Sequence, residues 1–334
     1  MADFYSNRRE RFLNEEPYLL LVNATRENVA ELEGYLKNDL ASADENAWSR
    51  WHSFMAGAKF SLLIGQYSAG RPVTEVATAY PPMLRTIEAQ CLPNSTYQTE
   101  PLYLEELDGY HYAMTLLSLA KLLRHDDLVP RVAALFDVAR SENRGKDALY
   151  ETLLGKLGLP TVPAKGMLRF LKAHPLLLKA IEAPPQKRPL FIAEFLRKWY
   201  SAMKGTYWHG LHDKVPQSFF GYWAFEAGLV TYLWDIDDSS YRDLPFYPKD
   251  LVDYARTHGA VASPDTSASL SAQDGPPVST RGGEPCPLAG WWFTPAKAGS
   301  RRYFKADEVM PVIEGSSYGA TFWQWSADQT APKL

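Results

Sequence analysis

Between about residue 29 and residue 257 the chain keeps one period, with apolar residues recurring three and four positions apart. No alternating strand pattern competes over that stretch. A chain patterned in this way buries its apolar residues by packing helix on helix. The segments VAELEGYLKNDL, AWSRWHSFMAGAKFSLLIGQYSAG, VTEVATAYPPMLRTIEAQCL and LYLEELDGYHYAMTLLSLAKLLRH are each predicted helical. Shorter helices are expected in DLVPRVAALFDVARSENRG, KDALYETLLGKLG, AKGMLRFLKAH and PLFIAEFLRKWYSAMK. SFFGYWAFEAGLVTYLWDI is apolar on most faces, which predicts a central, enclosed helix. The fold expected is mainly α, a multi-helix antiparallel array with a small C-terminal β-rich module.

The pattern changes at residue 258. HGAVASPDTSASLSAQDGPPVSTRGGE has no period and is dominated by Ser, Pro, Gly and Ala, so 258–284 reads as a flexible linker. Beyond it, PCPLAGWWFTP, SRRYFKADEVMP and YGATFWQW read as three short strands broken by Gly and Pro. The expected organisation is a helical domain over 1–257, the linker, and an aromatic module over 285–330. A module of that size is small to stand alone. It is expected to pack on the helical body through Trp291, Trp292, Trp323 and Trp325.

Charge and motifs exclude several classes. The formal net charge is -4, without the high pI and basic stripe of a nucleic-acid binder. Cys91 and Cys286 are far apart, which argues against a disulfide framework and against a Cys-rich zinc site. The early apolar run, Tyr18 to Val22, is too short for a signal-peptide core, and no run is long enough to span a membrane. A cytoplasmic location is expected. The chain carries no GxSxG, GxxxxGK[ST] or GxGxxG motif, so nucleophilic and nucleotide-cradling chemistry find no support, and no catalytic residue, cofactor or metal is assigned.

Four groups of residues bear weighing. Asp235, Asp237, Asp238 and Asp243 cluster beyond the central apolar segment, and Glu105, Glu106 and Asp108 form a second acidic group. They read as helix caps and solvated charges, as a patch facing a basic partner, or as facing carboxylates around magnesium. His209 and His212 lie three apart but lack further ligands, so a structural or surface role is favoured over zinc. Glu226, among Trp223, Phe225, Leu229 and Val230, is expected to be a buried hydrogen-bond hub, with Arg242 a candidate partner. Arg301, Arg302 and Lys305 are expected to edge a sheet or to pair with Asp307 and Glu308.

The order GYW-x-FE, an apolar helix, D-x-DD-S and YP-x-D-L-V resembles the C-terminal half of the PoNi-like immunity proteins, helical proteins encoded beside polymorphic DNase toxins. The matching residues are Gly221, Tyr222, Trp223, Phe225, Glu226, Asp235, Asp237, Asp238, Tyr247, Pro248 and Asp250. The tail, PCPLAGWWFTP to GATFWQW, is similar to the ending of the immunity protein 71 and 72 families. Its C-P-x-x-G start with a later Met-Pro also resembles ribbon modules, though only Cys286 is kept there.

The resemblance covers roughly 200–330. It implies an inhibitor that binds the toxic C-terminal domain of a cognate effector, often one delivered by a type VI secretion system, and performs no reaction itself. The partner expected is that protein toxin, with no direct nucleic-acid or membrane contact, and homodimerisation is left open. The acidic patch of Glu105, Glu106, Asp108, Asp235, Asp237, Asp238 and Asp243 is the expected toxin-binding surface. A helical metal-dependent enzyme and an effector chaperone or adaptor are the alternatives.

Overall fold

A computed structural model describes residues 4–38, 45–91, 102–137, 143–259, 279–294, 297, 300–313 and 321–325. The chain divides into two compact units, Met1–Ser263 and Pro264–Leu334.

The first unit is helical. Its helices are α1 (Phe4–Asn7), α2 (Glu15–Asn38), α3 (Glu45–Ser68), α4 (Val73–Cys91), α5 (Leu107–Leu122) and α6 (Val129–Asp137). They continue as α7 (Ala148–Lys156), α8 (Pro175–Glu182), α9 (Arg188–Ala202), α10 (Leu211–Lys214), α11 (Phe225–Leu233) and α12 (Lys249–Thr257). Helix α2 starts well before the predicted position. Glu15 and Glu16 complement the dipole of its first turn, and the Tyr18–Val22 run lies inside it. Between α3 and α4 the connection is so short that the two must run antiparallel, and they pack on one another.

Helix α5 forms the middle of the unit. Tyr110 to Leu122 is buried almost continuously, and α5 packs against α6, α11 and α12. A helix read as amphipathic is therefore enclosed. The segment AKGMLRFLKAH is not helical but a run of bends and turns, while the unforeseen α8 follows directly after it. A buried ion pair secures this irregular stretch. Arg144 binds Glu151 at 2.9 and 3.1 Å, and Glu151 accepts the amides of Gly145 and Val162 at 2.8 and 2.7 Å. The predicted central helix is shorter than its apolar run, because residues 219–224 are not helical and only Phe225–Leu233 forms α11.

The second unit is a four-stranded antiparallel sheet of order β1-β4-β2-β3, built from β1 (Ser279–Arg281), β2 (Gly290–Phe293), β3 (Arg302–Phe304) and β4 (Phe322–Trp325). Three strands fall in the expected aromatic runs. The fourth, β1, lies inside the stretch read as linker and lengthens the sheet by pairing with β4. Trp292, Phe304, Met310, Trp323 and Cys286 form this unit's own core. Trp291 instead takes Arg301 over its ring at 4.7 Å. Arg302 pairs with Glu308 at 3.2 Å, as the charge pattern of β3 suggested. The side chains of Trp325 and Cys91 lie outside the described residues.

Candidate functional site

The motif residues converge where the N-terminal segment crosses the loops before α11 and α12. Gly221 has φ +121°, a conformation costly for any residue with a Cβ. A Cβ there would also stand 2.1 Å from Ser68 Oγ. That hydroxyl donates to the Phe220 carbonyl at 2.6 Å and accepts Trp223 Nε1 at 2.8 Å, which ties the GYW turn to the end of α3. From the other side, buried Glu10 accepts the amides of Phe12 and Tyr222, both at 3.0 Å. Arg9 donates to Asp250 at 2.6 Å and to the Tyr67 and Arg71 carbonyls at 2.9 and 2.7 Å. Glu10 and Arg9, in the charged N-terminal stretch, thus clamp two motif residues, Tyr222 and Asp250. Between these parts lies a recess of about 460 Å³ whose walls include Arg8, Arg11, Arg242, Asp243 and Lys249.

The acidic residues differ in their surroundings. Asp238 is buried, accepting Arg242 and Arg256 at 3.1 Å each and the Tyr247 hydroxyl at 2.9 Å. Burial opposes its charge, but the Arg256 and Tyr247 bonds outweigh it and hold the carboxyl below the ordinary aspartate range. Its carboxylate is taken up by these internal bonds. Asp237 accepts the Ser239 amide and hydroxyl, both at 3.0 Å, in a local turn. Asp235 closes α11 with φ +46°, a left-handed position that aspartate tolerates better than most residues. Asp243 is exposed beside Lys249 at 2.8 Å. In the other group, Glu105 lies 3.9 Å from Lys146, Glu106 is exposed, and Asp108 accepts the Tyr207 amide at 3.2 and 3.3 Å. Among the described residues no three His, Cys, Asp or Glu side chains gather in a way that could hold a metal ion.

Glu226 is a hub, but Arg242 is not its partner. Arg242 is spent on Asp238 and Asp253. Glu226 is 0% exposed, accepts Trp199 Nε1 at 2.7 Å, and has His174 Nε2 3.4 Å from Oε1. Burial raises its pKa, yet His174 and then His111 outweigh that and leave it lowered. Burial pushes His111 down to about 4. His111, His174 and Trp199 were missed in the sequence. His111 stands alone in an apolar helical segment and His174 closes the bend-and-turn run before α8, so neither carried a sequence signal of its partner. His209 and His212 are structural, as favoured. His209 stacks on Tyr200 at 4.3 Å, and His212 Nδ1 meets the Tyr222 hydroxyl at 2.7 Å.

A second concavity, of about 740 Å³, lies between α2, α3 and the 207–220 segment. Leu20, Phe54 and Tyr207 stand around it at 53%, 61% and 62% exposure. Its floor includes Ala24, Gly57 and Ala58, and no lining residue is charged.

Over 76% of this chain and 93% of the other, the fold is similar to that of Protein PA2201 from Pseudomonas aeruginosa, known from its crystal structure, with a TM-score of 0.54 and 20% identity. Identity that low speaks to the fold alone. No curated protein matches the chain. Residues 145–251 match the family model of PoNe immunity proteins (PoNi), C-terminal, a span that takes in Glu151, the GYW turn and Asp250. Over that span the chain is similar to the PoNi immunity proteins, the family its motif order resembles.

Proposed function

We propose that this protein neutralises a cognate polymorphic toxin by binding it stoichiometrically and covering its working surface. The observation that carries the reading is the family match over 145–251, which takes in all of the charged motif residues the sequence singled out beyond residue 200. Glu226, Asp238 and Asp250 among them are engaged in holding the fold, which accords with a binding protein better than with a reaction centre.

The toxin class proposed is a nuclease. A nuclease holds phosphates with Lys and Arg, and exposed carboxylates complement such a surface and accelerate encounter. Glu105, Glu106, Asp235, Asp237 and Asp243 are exposed, and Asp108 is half-buried beside Tyr207. The protein would act in the cytoplasm, against an effector delivered by a type VI secretion system or a related route. This part rests on the resemblance. Among the described residues no helix is long and apolar enough to cross a membrane.

The test is co-expression with the toxic domain encoded in the adjoining reading frame. Growth should be restored by this chain, and the two purified proteins should form a 1:1 complex. A complex without growth rescue would favour an adaptor. Turnover of a small substrate, lost on Glu226→Gln, would favour an enzyme.

A further inference from the structure

The α2–α3 groove is a broad opening of about 740 Å³ in the helical unit, lined mostly by apolar and small residues. Its floor is made of small residues. A Cβ built on Gly57 meets nothing within 4 Å, so the backbone of α3 lies bare there. Phe54, one turn earlier, projects outward, and Leu20 and Tyr207 stand across from it. Aromatic side chains held half in solvent at the edge of an uncharged trough are the usual anchors of a protein interface. A trough between two helices, with small residues along the floor, accepts a third helix presenting apolar residues at i, i+3 or i+4, and i+7.

The rim supplies a sign. On α2, Glu16 lies one turn before Leu20 and Glu27 three residues after Ala24, both exposed. Across the groove, Asp108 is hydrogen-bonded to the Tyr207 amide, while the exposed Asp213 and Lys214 beyond Leu211 offset one another. The floor is therefore uncharged while acidic groups stand at both ends of the α2 stripe and on the opposite bank. The complementary occupant is apolar along its face and basic at its flanks.

We infer that this groove is the primary docking site for the toxin, and that it receives an amphipathic helix of the toxin flanked by Lys or Arg. This rests on the toxin-binding reading above and adds the place and the shape of the contact. It also assigns Asp108 a specific task, as a rim charge fixed by Tyr207, rather than membership of a diffuse acidic patch.

The test uses the full chain and a catalytically silenced form of the toxic domain from the adjoining reading frame, with affinity measured by calorimetry. Gly57→Leu fills the groove from a position with open space, and Phe54→Glu places a charge at its lip. Both should weaken binding at least about 100-fold, the scale of a central anchor, while melting temperatures stay at or above that of the parent chain. Leu190→Glu, an exposed apolar residue on α9, should leave binding unchanged. If the parent chain binds and both groove variants bind equally well, the groove assignment is overturned and the toxin-binding reading stands. If the parent chain does not bind, both fall together. A dimer of this chain that Phe54→Glu dissociates, with toxin affinity untouched, would give the groove to a second copy and overturn the inference.

Discussion

The motif region and the α2–α3 groove put opposite chemistry on one helical unit. Around residues 219–256 charged side chains are abundant but face each other. Asp238 is held by two arginines and a tyrosine, Asp250 by Arg9, and Glu226 by Trp199 and His174. The groove has no charged lining residue and presents its aromatic and aliphatic side chains to solvent. The difference teaches that a recognisable charged motif can be scaffold, with the binding capacity held by a surface whose sequence looks ordinary. A fold spends its ionisable groups where burial demands partners. A partner is captured where apolar area remains to be covered.

The sharpest test of the scaffold half is acid. His111 has a folded pKa of about 4 against 6.5 for a free imidazole. Between those values the unfolded chain binds a proton that the native state refuses, so stability rises with pH across that window and falls on acidification. The loss from His111 alone is about 3 kcal/mol. Glu226, whose pKa is lowered in the fold, adds a loss of the same sign as pH falls through its folded value. Urea melts between pH 7 and pH 4 should show this decline, and His111→Phe should flatten it. An undiminished slope in that variant would place the acid sensitivity elsewhere.

Next in size is Asp238→Ala, which removes one acceptor from each of Arg242 and Arg256 and the acceptor of the Tyr247 hydroxyl, while Arg242 keeps Asp253 and Arg256 keeps the Ile236 carbonyl. We expect a loss of about 3 kcal/mol, the lower part of the range for breaking buried pairs. The folded protein should keep its toxin affinity, and a fall in affinity with stability intact would turn this region from scaffold into contact. Asp250→Asn should cost about 1 kcal/mol, since the Arg9 pair is partly exposed and Arg9 keeps two carbonyl partners. Smallest and opposite in sign, Gly57→Ala should raise stability by up to about 1 kcal/mol, because α3 gains a better helix former where nothing obstructs it. Chemical denaturation measures both. A destabilised Gly57→Ala would mean that the groove floor is not open.

Much of this was legible in the sequence and some was not, for physical reasons. The helical class followed from the period, and the three aromatic strands from their turn-bounded runs. Residues 219–224 misled because an enclosed non-helical segment and an enclosed helix share an apolar composition, and only Gly221 marked the break. Strand β1 left no signal, since Ser279–Arg281 has neither aromatic nor apolar alternation and gains its place by pairing with β4. Acidic residues drew notice as candidates because charge is visible one residue at a time. The groove drew none. Leu20 lies in a run that served only to argue against a signal peptide, and Phe54 and Gly57 lie in a helix read for its period alone. Whether an apolar residue faces core or solvent depends on neighbours distant in sequence.

Hydrogen exchange on the complex compares the two regions in a single experiment. On addition of the silenced toxic domain, the account predicts new protection in peptides spanning 16–28, 53–61 and 207–220, with the already slow amides around 225–233 and 249–257 unchanged. Protection confined to the motif recess, with the α2–α3 peptides exchanging as in the free protein, would contradict it.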